Sequence, residues 1–311
     1  MMRGQAALVL VLAVAAVFAA LVAAAWFAGP RATSLQARVE LRLRGTGGRA
    51  LAASAIAPSL RDAVVATEHE RFHRHHGIDL IGILRALPYD VAHLSLAQGA
   101  STITEQVAKL LYLHGNDHTP WRKLEDATVA VKLEGRYTKE QILAAYLDST
   151  YFGEGAYGAW AAAAHYFGRS PGKLDAAQAS LLAGLIQAPS AYDPRLHPQL
   201  ARARQVEVLR SLVRNGFLTP DEAAAALSRP LNLRSGGTLG PVRGVDLAPG
   251  PAFVWWRLTL GGTIALLGAM TLVALRLARF RIPHGLLALR ALSLVLVVLG
   301  SGVVIRAFRT A

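Results

Sequence analysis

Cysteine is absent from this 311-residue chain, and charged side chains are scarce. Without cysteine there is no disulfide framework, no thiol chemistry and no cysteine metal site. Charged residues make up only 17% of the sequence against 53% hydrophobic residues, which is unusual for a soluble domain. Acidic residues are the rarer kind, 20 against 33 Lys and Arg, so the formal charge is +13. This excess predicts an anionic partner: nucleic acid, an acidic lipid surface or a pyrophosphate.

Three long apolar runs indicate that the partner surface is a membrane. They are Ala6–Ala28, Leu258–Leu275 and Leu286–Ile305. At about 1.5 Å per residue, runs of this length suit a bilayer core of roughly 30 Å. A cleaved signal peptide is the alternative for the first run, but signal peptides have apolar cores of only about 7–15 residues, which favours an uncleaved anchor. We therefore predict membrane lipid, and not nucleic acid, as the contact surface.

The short loop Arg276–Arg281 between the two C-terminal runs is strongly basic. Basic loops tend to stay in the cytoplasm, so this loop is predicted to be cytoplasmic. Three spans then place the N-terminus inside and residues 30–250 outside. Five arginines at positions 31, 38, 42, 44 and 49 argue against this orientation.

Helix start signals dominate the middle of the chain. Ser/Thr/Asp caps followed by proline or by Gln/Glu at the third helical position predict helices that begin after Thr119, Thr138, Asp175 and Thr219. Alternating strand patterns are rare, and Arg38–Arg44 is the one fair candidate for a strand. Residues 229–252 are rich in Gly, Pro and Arg without helical periodicity, which predicts a linker. The fold class is therefore mostly α.

A series of motifs in a fixed order carries the functional information. An acid in a turn comes first, then a Gly/Ser/Thr-rich loop, then a basic and acidic helix and four further segments. These are Ala63–Gly77 with Glu68, Gln98–Gln106, Arg122–Asp126, Lys139–Leu147, Tyr151–Gly158, Leu181–Ser190 and Arg204–Leu209. From about Ile56 to Leu227 the chain resembles the peptidoglycan glycosyltransferases of glycosyltransferase family 51, which polymerise lipid II into glycan strands.

The resemblance implies a lysozyme-like glycosyltransferase domain at residues 56–228. Around it we predict an N-terminal transmembrane anchor at 1–30, a linker at 31–55, a second linker at 229–252 and a C-terminal transmembrane hairpin at 253–311. The implied location is the bacterial inner membrane, with the catalytic domain facing the periplasm or exterior. The implied partners are lipid II, the growing glycan strand and other cell-wall synthesis proteins.

Glu68 has the role of catalytic base in the resemblance. Joining two sugars with inversion requires a base for the attacking hydroxyl and positive charge near the departing pyrophosphate. Val64, Val65 and Phe72 are candidates for an apolar surround that raises the pKa of this carboxyl. Asp126 stands where the family has a second catalytic glutamate, which acts on the diphosphate through a divalent cation, Mg or Mn. The implied substrate-binding residues are Gln98, Gly99, Ser101, Thr102, Thr104, Gln106, Lys109, Arg122, Lys123 and Arg204.

Several positions depart from the family pattern. Asp126 is one methylene shorter than the family's glutamate, and Glu105 adds a carboxylate that would repel a pyrophosphate unless Lys109 neutralises it. The remaining substitutions are His69, Ala100, Ala144 and Asp148, and the arginine that the family carries before Arg122 is missing from Asn116–His118. They favour a rival interpretation, a non-catalytic scaffold that binds lipid II or glycan. A lysozyme-like lytic enzyme is a third interpretation, but it has little need of three spans or of a basic cluster.

Two other stretches of the sequence leave alternatives open. His69 and His73, with Glu70 between them, have the spacing of a zinc-protease helix, but Arg71 would place a cation beside the metal and no clear third ligand follows. We therefore predict no protein-bound metal site there. Ile78–Leu87 is apolar, which fits either a core helix or the family's flap that dips into the bilayer.

Overall fold

The computed structural model describes residues 2–84, 101–113, 119–234 and 236–247. The chain divides into two compact units. The first contains residues 1–19, 80–100 and 249–311, of which 2–19 and 80–84 are described. The second contains residues 20–79 and 101–248 and carries every site residue discussed below that the structure describes.

Helices account for most of the described chain, as the sequence predicts. In chain order the α-helices are α1 Met2–Ala28, α2 Leu35–Leu43, α3 Pro58–Glu68, α4 Ile103–Leu111, α5 Pro120–Glu134, α6 Lys139–Ser149, α7 Gly158–Phe167, α8 Ala176–Leu185, α9 Pro198–Arg214 and α10 Pro220–Ser228. Short 3-10 turns lie at Ala53–Ala55, Phe72–Arg74 and Pro171–Lys173. Strands β1 Leu231–Asn232 and β2 Thr238–Leu239 pair antiparallel.

The centre of the second unit is α8. Its residues from Ala177 to Leu185 are all buried, because the helix is apolar on every side and can lie only inside the core. Helices α3 and α9 pack against it, and α4 packs against both α5 and α6. The result is a helical core in which α3, α4, α5 and α9 carry the candidate catalytic and substrate-binding side chains.

All four predicted helix starts are confirmed. Thr119 accepts a hydrogen bond from the Arg122 amide at the start of α5. Thr138, Asp175 and Thr219 each form a complete capping box with the residue three positions later. These starts are predictable because the cap and its partner lie within one turn of the same chain segment.

The predicted strand at Arg38–Arg44 is wrong, because these residues belong to α2 and the C-cap after it. Leu35, Val39 and Leu43, four residues apart, form the buried face of this helix, whereas Leu41 is 59% exposed. Two arginines fix the helix to the core. Arg38 Nη1 donates to Leu111 O at the end of α4, and Arg42 Nε donates to Ser149 O at the end of α6. Cations at the carboxyl ends of two helices are favourable, so these arginines serve the fold.

The segment predicted as a linker differs from that prediction in its described part. Strands β1 and β2 form a hairpin within it, and Leu231, Leu233, Leu239 and Leu247 are buried. Arg202 of α9 donates to Leu239 O and Arg229 O, which attaches the hairpin to the helical core. The leucines of this segment are therefore packed in the core, and its carbonyl groups are hydrogen-bonded to α9, although the sequence here has no helical or long-strand periodicity.

The predicted membrane segments stay predictions. Within the described residues, no helix is long and apolar enough to cross a bilayer. Both C-terminal runs lie outside the described residues. In the stretch predicted as a core helix or a flap, Leu80, Ile81, Ile83 and Leu84 are 36–69% exposed, so these four side chains do not lie in a core.

Candidate active site

Glu68 is the last residue of α3. The helix ends there because the backbone of His69 is not helical, with φ −161° and ψ 80°. Ala63, Val64, Val65 and Ala66 are buried on the turn before it, and Phe72 is buried just after it. The carboxylate therefore leaves a firmly packed helix at its end.

A hydrogen-bonded relay from two other helices holds the Glu68 carboxylate. Gln106 Nε2 of α4 donates to Glu68 Oε2 at 3.2 Å, and the Tyr146 hydroxyl of α6 donates to Gln106 Oε1 at 3.0 Å. Burial raises the pKa of Glu68, while the hydrogen bonds from Gln106 and Tyr146 and the charge of Arg204 oppose that rise. Burial also raises the pKa of Tyr146 well above its usual value, so this hydroxyl stays a donor.

Arg204 of α9 is the cation whose charge lowers the pKa of Glu68. Its guanidinium carbon lies 6.0 Å from the centre of the Tyr192 ring, and its Nε has no hydrogen-bond partner among the described residues. Gly184 of α8 allows its close approach, because a Cβ at that glycine would lie 3.0 Å from Arg204 Cγ. The residue as a whole is half-buried, while its Nε is enclosed.

Asp126 lies on α5 with Arg122 one turn before it. Arg122 Nε is 3.4 Å from Asp126 Oδ1, and both residues are buried. Burial raises the pKa of Asp126, against the charges of Arg122, Lys123 and Lys109. Glu125 points elsewhere on the same helix, where it accepts a hydrogen bond from Trp121 Nε1 at 2.8 Å. This agrees with the expected offset of about 100° between successive helical residues.

Glu105 is neutralised by Lys123, whereas the sequence suggested Lys109 for that role. Lys123 Nζ lies 2.7 Å from Glu105 Oε2 and 2.8 Å from Ser101 Oγ. Lys109 is exposed in the last turn of α4. Glu105 points towards α5 and therefore pairs with Lys123 of that helix. It does not pair with Lys109, which lies four residues later on its own helix.

Two of the predicted donor-loop hydroxyls make contacts inside the fold. Thr102 caps α4 by accepting from the Glu105 amide at 3.0 Å and donates to Gly77 O at 2.9 Å. Thr104 donates to Glu134 Oε1 at 2.6 Å. Both threonines are buried and Ser101 is exposed. Gln98 and Gly99 lie outside the described residues.

Helix α4 joins two groups of polar side chains. Gln106 belongs to the group around Glu68, while its neighbour Glu105 belongs to the group around Lys123 and Asp126. Neighbouring residues on a helix point about 100° apart, so one helix serves both groups. Sequence reasoning placed Tyr146 only in an apolar stripe. In the sequence, only the position of Tyr146 within the motif segment Lys139–Leu147 indicates a polar role for its hydroxyl.

The zinc-like pattern does not form the helix that zinc binding would require. His69 lies beyond the end of α3, and His73 belongs to the 3-10 turn Phe72–Arg74. Asp79 Oδ2 instead lies 3.3 Å from His69 Nε2 and 3.1 Å from Arg71 Nε. In the ranges that the structure covers, no group of three or more His, Asp and Glu side chains is arranged to hold a metal ion.

Comparison with known proteins gives a consistent result. The profile of a family described as Transglycosylase matches residues 39–213. A protein of Cupriavidus necator that is a transglycosylase by name is 46% identical over 177 residues, which cover 56% of this chain and 75% of that protein. Penicillin-binding protein 1A of Aquifex aeolicus is 40% identical over 173 residues, as is that of Neisseria gonorrhoeae. The match spans only 24% and 22% of those two proteins.

Proposed function

Because the chain belongs to the transglycosylase family, we propose that it polymerises lipid II into β-1,4-linked peptidoglycan strands with inversion at the anomeric carbon. The observation that carries this proposal is the setting of Glu68. Its carboxylate is partly buried, held by Gln106 and Tyr146, and faces Arg204. The charges of Arg122 and Lys123 of α5 and Lys109 of α4 act on the second carboxylate, Asp126.

Glu68 acts as the base in the proposed reaction. It takes the proton of the acceptor's 4-hydroxyl as that oxygen attacks the anomeric carbon of the donor. A pKa raised by burial makes the carboxylate a better proton acceptor than an exposed glutamate. The Gln106 amide orients the carboxylate, since its own carbonyl oxygen is fixed by Tyr146.

Positive charge stabilises the departing undecaprenyl pyrophosphate in this proposal. Lys109, Arg122 and Arg204 are candidates, and so is Lys123, whose half-exposed ammonium group also has a buried carboxylate partner. Asp126 holds Arg122 from one turn away, so it orients a cation for the leaving group. Asp126 and the nearby Glu105 are outnumbered by the charges of Arg122, Lys123 and Lys109, which suits an anion better than a divalent cation, and no step here depends on Mg or Mn.

The proposed setting is the outer face of the bacterial inner membrane, where the predicted anchor and C-terminal hairpin would hold the domain near its lipid substrate. Membrane lipid, the growing glycan strand and other cell-wall synthesis proteins are the proposed partners, and nucleic acid is not among them. The exposed leucines and isoleucines at residues 80–84 support contact with lipid.

Polymerisation of labelled lipid II by the full chain purified in detergent tests the proposal. The wild-type chain is expected to form strands, and Glu68→Gln to form none. Glu207→Gln removes an exposed carboxylate of α9 that pairs with Arg210, and it is the matched control. Strands formed equally well by Glu68→Gln would contradict the assigned base.

A non-catalytic scaffold is the second candidate function. The shorter Asp126 and the neutralised Lys123 support it, because both weaken the cationic site. Lipid II that binds to the wild-type chain without strand formation would favour the scaffold. Soluble sugar fragments released from finished wall would instead favour a lytic enzyme.

A further inference from the structure

Glu105 and Lys123 form an unequal pair at the edge of the cationic site. The Glu105 side chain is 4% exposed, whereas that of Lys123 is 48% exposed. Lys123 Nζ lies 2.7 Å from the buried carboxylate and 2.8 Å from Ser101 Oγ. One member of the pair is fixed inside the protein, and the other is open to any anion that arrives from solvent.

Helix capping does not account for this arrangement. Glu105 is the third residue of α4 after the cap Thr102, the position from which a Glu or Gln side chain usually returns to the cap amide. Here the Glu105 amide bonds to the Thr102 hydroxyl, but the carboxylate extends to Lys123 of α5. A neutral glutamine would keep the Thr102 cap, because the capping hydrogen bond uses the backbone amide, but it would lose the favourable interaction of a negative charge with the helix N-terminus. The side-chain hydrogen bond of the carboxylate goes to Lys123.

The neighbours of Glu105 determine how strongly its negative charge depends on Lys123. Burial raises the pKa of this carboxyl, the nearby Asp126 raises it further, and Lys123 opposes both. Without Lys123 the carboxylate would lie buried beside a second carboxylate. An anionic ligand that attracts Lys123 must therefore compete with Glu105 for the same ammonium group.

We propose that Glu105 is an internal counter-anion that competes with the pyrophosphate of the donor for Lys123, and so limits how tightly the site holds donor and product. This inference rests on the proposed function, since the competing anion is the pyrophosphate of lipid II. Glu105 is a positioning residue here, because it acts through Lys123. Release of the pyrophosphate product is aided when Lys123 returns to Glu105.

A double-mutant cycle with Glu105→Gln, Lys123→Met and the double variant tests the proposal. The readouts are the Kd for fluorescent lipid II in detergent, at low and high salt, and the KM and kcat of polymerisation. Glu105→Gln is expected to tighten lipid II binding about fivefold at low salt and less at high salt, because a freed surface cation is screened. KM should fall while kcat does not rise, since product release becomes slower.

Two comparisons separate this role from simpler ones. In the Lys123→Met background, Glu105→Gln should no longer tighten binding. Glu125→Gln removes the same charge from the same neighbourhood, at a side chain that contacts Trp121, and should change Kd less than twofold. Equal tightening by Glu105→Gln with or without Lys123 would overturn the proposal, as would no tightening at all.

Thermal unfolding of each variant shows whether it folds. If Glu105→Gln does not fold, Glu105→Asp keeps the charge but draws it back from Lys123, and unchanged binding in that variant would count against the proposal. Wild-type polymerisation with an unaffected Glu105→Gln variant would refute this inference alone. The expected binding cycle without any polymerisation would refute the catalytic function alone, and absence of lipid II binding would refute both.

Discussion

Tyr146 donates its hydroxyl hydrogen to Gln106 Oε1 across 3.0 Å between α6 and α4. This contact determines what Gln106 offers to Glu68, because an amide whose oxygen is already engaged can present only its NH2 group. Tyr146 thus sets the position of the Gln106 NH2 group that donates to the Glu68 carboxylate. Tyr146 is 1% exposed, so water does not replace its hydroxyl easily.

Tyr146→Phe tests this relay. Removing the hydroxyl frees the Gln106 amide, so we expect kcat to fall about tenfold with little change in KM. The hydrogen bonds that lower the pKa of Glu68 are weakened, so the acid limb of the pH–rate profile should move to higher pH. Tyr166→Phe is the control, because its hydroxyl donates to Phe152 O in the core and has no link to Glu68 among the described residues. Each variant should lose about 1 kcal/mol of stability, but a shift of the acid limb in both would argue against the relay.

Arg204→Gln tests the cation that faces Glu68. We expect KM for lipid II to rise about tenfold, as for a lost charge-assisted contact to phosphate. The acid limb should also move to higher pH, because the charge of Arg204 lowers the pKa of Glu68. Arg210→Gln removes a cation that pairs with Glu207 on the same helix, and it should leave both quantities unchanged. An unchanged KM in Arg204→Gln would remove this residue from the binding site.

Asp126→Glu tests the shortened second carboxylate. The contact between Arg122 Nε and Asp126 Oδ1 is long at 3.4 Å, and one more methylene brings the carboxylate closer to its partner. We expect polymerisation to rise about two- to fivefold, measured as strands formed from labelled lipid II. A lower rate together with a lower thermal midpoint would instead show that this buried position has no room for the longer side chain.

Asp148→Asn tests a pH dependence of stability. Asp148 is 1% exposed, accepts from the Leu51 amide at 2.7 Å, and burial raises its pKa to about 7. Its folded pKa lies above the unfolded value, so the wild-type chain loses stability as pH rises from about 4 to about 7 and then levels off. The asparagine variant carries no such penalty. It should be more stable than wild type at pH 8, by on the order of 2–4 kcal/mol, and should differ little at pH 4.

Chemical unfolding of both Asp148 chains at pH 4, 6 and 8 provides the measurement. The stability difference between variant and wild type should grow with pH. A constant difference across the three values would mean that the carboxyl does not titrate in this range in the folded protein.

The amino-acid sequence alone determined the parts of this protein that depend on neighbours along the chain. The caps at Thr119, Thr138, Asp175 and Thr219 each involve partners within three residues, so their helices could be predicted and are confirmed. Motif order likewise identified the family. Local alternation misled only at Arg38–Arg44, where a buried face with a period of four residues outweighs it.

Tertiary structure decided which side chains meet across helices. Whether Glu105 pairs with Lys109 or Lys123 depends on how α4 packs on α5, and the relay from Tyr146 through Gln106 to Glu68 depends on α6, α4 and α3 together. No spacing within one segment encodes such contacts. They follow from the burial of apolar faces, which sets the helices against each other and leaves each polar group only the partners within its reach.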